Sequence, residues 1–81
     1  MTEKVSERMT KLITKQLKVE EEQVLPDAKF RDDLKATSLS LILLQIAMEE
    51  EFDLELKEED ALSISTLRRA LDYLANKGIK D

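Results

Sequence analysis

From Thr37 to Met48 the chain reads TSLSLILLQIAM, without one charged side chain, although 38% of its 81 residues are Asp, Glu, Lys or Arg. Set on a helical wheel at about 100° per residue, Leu41, Leu44, Met48 and Phe52 fall on one side, with Ala47 beside them. Leu39, Ile42, Leu43 and Ile46 fall on the other. A chain this short builds one small core, which can cover one side of such a helix. The second apolar stripe is expected to stay in water, where it marks a docking surface. Beyond it the same face continues as acids at Glu49, Glu50 and Asp53. From its N-terminal end, the surface therefore runs from serine to apolar patch to acidic patch.

Composition narrows the chemistry. There is no cysteine and no histidine. The chain thus lacks a thiolate, the usual general base at neutral pH and the commonest neutral metal ligand. It reads as a non-enzyme with no metal site of its own. The acidic runs at Asp32–Asp33 and Glu58–Asp60 lack the spacing of a calcium loop and read as solvated charge. Thirteen basic against 18 acidic residues give a net charge of −5, the wrong sign for nucleic acid and the right one for basic protein surfaces. The opening MTEKVSERMTKL is charged and periodic, unlike a signal peptide, and no uncharged run is long enough to cross a bilayer. The expectation is a cytoplasmic monomer consisting of one domain, residues 1–81, with no membrane insertion.

One glycine and one proline argue for helices joined by few tight turns. The periodicity predicts an all-α four-helix bundle with a long first connection and a small third helix. The first helix spans roughly Glu3–Lys18, with Thr2 as cap and a stripe through Val5, Met9, Leu12, Ile13 and Leu17. Pro26–Asp27 interrupts a connection anchored by Val24, Leu25, Phe30 and Leu34. The second helix starts at Thr37 or Ser38, either of which can cap it, and ends near Phe52. A short helix follows around Glu58–Leu62. Ser65 or Thr66 caps the last one, whose stripe is Leu67, Ala70, Leu71 and Leu74, with Lys77–Gly78 as its stop. Arg68 and Arg69 are expected to be solvated or paired with nearby acids such as Glu59 or Asp60, with contact to partners as the other reading, and the Tyr73 hydroxyl stays wet.

Ser38 taken alone reads as a plain helix cap. The segment around it, FRDDLKATSLSLILLQIAMEEEFDLEL, resembles the centre of acyl carrier proteins. That pattern is a Phe, a short gap, Asp-Leu-Gly, one residue, Asp-Ser-Leu, an amphipathic helix and Glu-Glu-Phe. The resemblance extends over nearly the whole chain. It implies that Ser38 receives a 4′-phosphopantetheine arm from a phosphopantetheinyl transferase. It also implies that acyl groups ride on the arm's thiol between separate acyl-transferring or synthase enzymes, and that Thr37, Leu39, Ile42, Leu43, Ile46, Glu49, Glu50 and Asp53 form the docking surface. The space between the second and third helices shelters the acyl chain in that family. Leu44, Met48, Phe52, Leu56, Leu62 and Leu67 are its expected lining, with Ile64 and Leu62 on the lid side.

The departures point to a specialised member. Lys35 stands at the family's usual glycine, Thr37 at its usual aspartate, and Ser40 and Leu43 at positions that are often acidic. Docking is expected to lean on apolar contact, at about 1.5–3 kcal/mol per buried leucine-sized side chain, more than on exposed ion pairs of about 0.2–1 kcal/mol. Two other readings remain open. One is an unmodified interaction module that uses the stripe alone; the other is an aminoacyl or peptidyl carrier.

Overall fold

The computed structural model describes residues 4–80. The expected cap at Thr2 and helix start at Glu3 lie outside them. Four α-helices follow in order, α1 Val5–Leu17, α2 Ser38–Phe52, α3 Glu58–Ser63 and α4 Leu67–Asn76, with one 3₁₀ turn at Glu21–Gln23 that the periodicity did not indicate. No strand forms among the described residues, so the architecture is the all-α bundle expected.

Each long helix buries one stripe. Met9, Ile13 and Leu17 come from α1, Leu44, Met48 and Phe52 from α2, and Leu67, Ala70 and Leu74 from α4. α1 packs against both α2 and α4. Val5, Leu12, Leu41 and Leu71 sit half-buried at the margin of this core. Arg8 closes the joint between α1 and α2. Its guanidinium donates to the Glu51 carboxylate at 2.8 Å and to the Glu51 carbonyl at 2.9 Å, and lies 4.7 Å from the centre of the Phe52 ring. A cation on a late carbonyl also suits the negative end of α2. α4 ends in paired bonds, from the Gly78 N–H to the Ala75 carbonyl and from the Ile79 N–H to the Leu74 carbonyl. This stop needs a left-handed residue at Gly78, where φ is +83°, the conformation glycine adopts without cost.

The long connection is tied down by its backbone. The Phe30 N–H donates to the Ser65 carbonyl at 3.0 Å, and the Arg68 N–H to the Pro26 carbonyl at 3.0 Å. Val24, Phe30 and Leu34 are buried as anchors, but Leu25 is 61% exposed. Leu25 therefore does not anchor the connection. Its N–H bonds back to Gln23 as the 3₁₀ turn closes, and it is the neighbouring Val24 that enters the core. The partner of Arg68 also differs from expectation. It is Asp27, at 2.7 and 3.2 Å through two guanidinium nitrogens, rather than Glu59 or Asp60. The Pro26–Arg68 backbone bond brings Asp27 to the start of α4. Both side chains are well exposed, and the guanidinium holds the Asp27 carboxyl below the usual carboxylate range, chiefly by hydrogen bonding.

Tyr73 is half-buried, and its hydroxyl lies 3.4 Å from the Asp60 carboxylate and 3.5 Å from the Glu55 carbonyl. It spans from α4 to α3 instead of pointing freely into water. Burial first, then the Asp60 charge and hydrogen bond, push the phenol above its ordinary value. A folded-state pKa raised above the unfolded one means that this contribution to stability is full below about pH 10 and fades as pH rises through the folded value. Tyr73 is the only tyrosine and there is no tryptophan, so ultraviolet difference titration reads it alone. The midpoint is expected above that of free tyrosine. Asp60→Asn is expected to lower it part of the way, because burial remains.

Candidate functional site

The start of α2 is built by a reciprocal cap. The Ser40 N–H donates to Thr37 Oγ1 at 3.1 Å, and the Thr37 N–H donates to Ser40 Oγ at 2.9 Å. Two backbone N–H groups flanking the helix start are thereby satisfied, in the manner of a capping box with serine as its second member. A cap of this kind contributes about 1 kcal/mol. The choice left open by the sequence is settled for Thr37. Ser40, which stands where an acid is often found, has a structural task in the same cap.

Ser38 is consequently relieved of capping. It is the first residue of α2, exposed, and its Oγ accepts one hydrogen bond, from Arg31 Nη2 at 3.1 Å. The first turn of α2 holds no acidic residue, so the positive end of the helix dipole is uncompensated by the chain itself. Ser38 is carried at a defined place because the residues before it are pinned. The Ala36 N–H donates to the Phe30 carbonyl at 2.8 Å, the Leu34 N–H donates to the Lys29 carbonyl at 3.1 Å, and Phe30 itself is strapped to Ser65. Closing this loop requires Lys35 to take φ = +58°. That is a left-handed conformation which costs a residue with a Cβ about 1–2 kcal/mol.

Beside Ser38 opens a cavity of about 390 Å³ between the start of α2, α3 and the 29–32 segment. Phe30, Leu41, Ile42, Leu44, Met48 and Ile64 supply most of its apolar wall, with Ala61 and Leu62 from α3, while Lys29, Arg31, Asp32, Ser38, Gln45 and Ser65 supply polar groups. Of the lining expected from sequence, Leu44, Met48 and Leu62 are present, with Ile64 on the α3 side. Phe52, Leu56 and Leu67 are not. The cavity lies at the serine end of α2, whereas Phe52 and Leu67 are consumed by the bundle core and Leu56 is half-buried against it.

The outward stripe stands in water. Leu39 is 66% exposed, Ile42 51%, Leu43 43% and Ile46 47%. Glu50 and Asp53 are exposed below it. Glu49 is half-buried, and its carboxylate accepts the Leu56 N–H at 2.9 Å. It holds the turn between α2 and α3. Asp53 closes α2 in a left-handed conformation, with φ of 51°. Thr37 is exposed as well, though its hydroxyl is occupied by the cap. Arg31 was missed from the sequence as a neighbour of Ser38. The loop that bends it back is held by backbone bonds that no local pattern announces.

A family profile described as a phosphopantetheine attachment site matches residues 7–74. The chain belongs to that family. It is 41% identical to the acyl carrier protein of Buchnera aphidicola subsp. Acyrthosiphon pisum (strain 5A), over 94% of this chain and 95% of the relative. To the acyl carrier protein of Buchnera aphidicola subsp. Schizaphis graminum (strain Sg) it is 42% identical, over 94% of this chain and 96% of the relative. Its fold is similar to that of the acyl carrier protein from Enterococcus faecalis, in a structure concerned with that protein's high thermal stability. The TM-score is 0.75 at 33% identity, covering 89% of this chain and 91% of that one. The family's prosthetic group is 4′-phosphopantetheine, and its members carry acyl groups without catalysing reactions. No helix among the described residues is long and apolar enough to cross a membrane.

The residues at the start of α2 suit such a group. A hydroxyl free of capping duty, a cationic donor already on it and a largely apolar cavity alongside match a phosphodiester root with an uncharged, acyl-bearing end. The family resemblance also explains the demand at Lys35, where the usual glycine would adopt a positive φ freely. Lys35→Gly is expected to raise stability by roughly 0.5–1 kcal/mol, the strain relieved less the extra freedom of glycine in the unfolded chain. Urea unfolding of the unmodified protein measures it.

Proposed function

We propose that Ser38 is the attachment serine and that this chain is a specialised acyl carrier serving fatty-acid-like, lipid or polyketide biosynthesis. The observation that carries the reading is the isolation of the Ser38 hydroxyl. It is exposed at the first position of α2, Thr37 and Ser40 do the capping, and it opens onto the apolar cavity. A phosphopantetheinyl transferase brings its own catalytic groups, so the carrier needs neither histidine nor cysteine. When bound, the arm supplies the thiol on which cargo is held as a thioester. The chain's part is to present the hydroxyl, shelter the cargo's apolar tail against Leu44, Met48 and Ile64, and offer a face to the enzymes that load and unload it.

That face is Leu39, Ile42, Leu43 and Ile46, flanked by Thr37 near the serine and by Glu50 and Asp53 at the far end. Glu49 belongs to it in the helical register, with its carboxylate engaged at Leu56. Because Ser40 and Leu43 replace acids, the half of the face nearest the serine is apolar and the acids lie away from it. Partners with an apolar groove and a basic far edge fit this arrangement, and loss of rim charge changes partner choice more than total affinity. The reading includes one domain acting as a monomer in the cytoplasm.

Co-expression with a broad-specificity phosphopantetheinyl transferase is expected to add one phosphopantetheine to the intact mass, and Ser38→Ala to abolish that gain. A wild-type protein that gains nothing with any transferase overturns the reading. The exposed apolar stripe also favours a second one, an unmodified interaction module. The two separate on a simple comparison. For a carrier, Ser38→Ala eliminates function and Leu43→Glu weakens transfer by partner enzymes roughly ten- to a hundredfold, the loss of one buried leucine. For a module, Ser38→Ala is harmless and Leu43→Glu alone abolishes partner capture.

A further inference from the structure

We propose that Arg31 is the positioning residue for the root of the arm, gripping the phosphodiester by charge once Ser38 is modified. This rests on Ser38 as the attachment serine and goes beyond it, because it assigns a role to a residue of the preceding loop. In the unmodified chain Arg31 Nη2 already donates to Ser38 Oγ at 3.1 Å. Ser38 is its only hydrogen-bond partner among the described residues, and no ion pair of Arg31 forms among them. The exposed guanidinium therefore spends its one directed contact on a neutral hydroxyl, a weak use of a strong donor.

Modification changes the character of that contact. The bond formed joins Ser38 Oγ to the pantetheine-side phosphorus of coenzyme A, the bond broken is that phosphorus's bond to the pyrophosphate bridging oxygen, and the hydroxyl proton leaves to the displaced nucleotide's phosphate or to solvent. What remains at the oxygen is a phosphodiester with one full negative charge. Charge-assisted hydrogen bonds to phosphate are roughly twice as strong as neutral ones, and the guanidinium fork suits phosphate oxygens. Nothing nearby competes strongly for it. The first turn of α2 carries no acid, Thr37 replaces an aspartate next to Ser38, and the Asp33 carboxylate is occupied by the Lys29 N–H at 2.7 Å. Asp32, which lines the cavity, and Asp33, whose charge that N–H does not cancel, are the opposing charges of the loop.

The grip has a direction. Arg31 and Ser38 both line the apolar cavity, and Arg31 sits on a loop fixed to the α3–α4 junction through the Phe30–Ser65 bond. Holding the phosphodiester there fixes the base of the arm relative to the cavity. Such a contact is exposed and so is weakened by salt.

The test compares apo and holo forms of wild type, Arg31→Gln and Arg31→Lys, each checked by intact mass and circular dichroism. Modification is expected to shift the Arg31 Nε–H resonance in ¹⁵N-resolved spectra of the wild type. It is also expected to raise the wild-type thermal midpoint roughly 2–4 °C more than that of Arg31→Gln at low ionic strength. High salt closes the gap, and Arg31→Lys keeps part of it. Each readout is a holo-minus-apo difference, so a general structural role of Arg31 cancels. An Arg31 Nε–H resonance that stays put on modification, or an equal gain in wild type and Arg31→Gln, overturns this inference and leaves Ser38 standing. Failure to gain the arm's mass overturns the attachment site and this inference with it.

Discussion

The hydrogen bonds exchanged by Thr37 and Ser40 hold the first turn of α2 without drawing on the residue next to Thr37. The freedom of the Ser38 hydroxyl follows from that division of labour. A helix start has unpaired N–H groups that must be satisfied, and the nearest hydroxyl is the cheapest way to do it. Had Ser38 been the cap, its oxygen would be committed to the backbone, and modifying it would forfeit the cap, a loss of about 1 kcal/mol. With the cap one residue earlier and its second half three residues later, Ser38 Oγ is left with Arg31 alone. The helix can then carry a large group on its first residue and keep its register, which also keeps Leu39, Ile42, Leu43 and Ile46 aimed outward.

Two costs accompany this arrangement. The loop before α2 can close only with a left-handed residue, and the chain places Lys35 there. The apolar stripe is the second, four large side chains kept in water by a core too small to take them. Both sit within a few residues of Ser38. Strain and exposed apolar surface close to one hydroxyl fit a site selected for contact with other proteins rather than for stability. The electrostatics point the same way. The chain is acidic overall, yet the segment before Ser38 sets Lys29, Arg31 and Lys35 against Asp32 and Asp33.

Much of this was legible before the fold was known. The stripes of α1, α2 and α4 were readable because burial repeats with the turn of the helix, and Met9, Ile13, Leu44, Met48 and Leu74 are where that period puts them. Leu25 and the expected lining at Phe52, Leu56 and Leu67 were misplaced for a common reason. An apolar side chain announces that it prefers burial, but not which of several apolar spaces receives it. The partner of Arg68 was misplaced because Asp27, 41 residues away in sequence, comes close only through the backbone bond at Pro26.

By itself the sequence determined the helical class, the two-sided α2, the absence of a self-sufficient catalytic apparatus and the serine pattern, because each is written in residue identity and local spacing. The tertiary structure alone decided which hydroxyl caps α2, where the cavity opens and that Arg31 reaches Ser38. Those depend on how the 18–37 connection is strapped across α3 and α4, and long-range backbone hydrogen bonds leave no signature in the order of side chains.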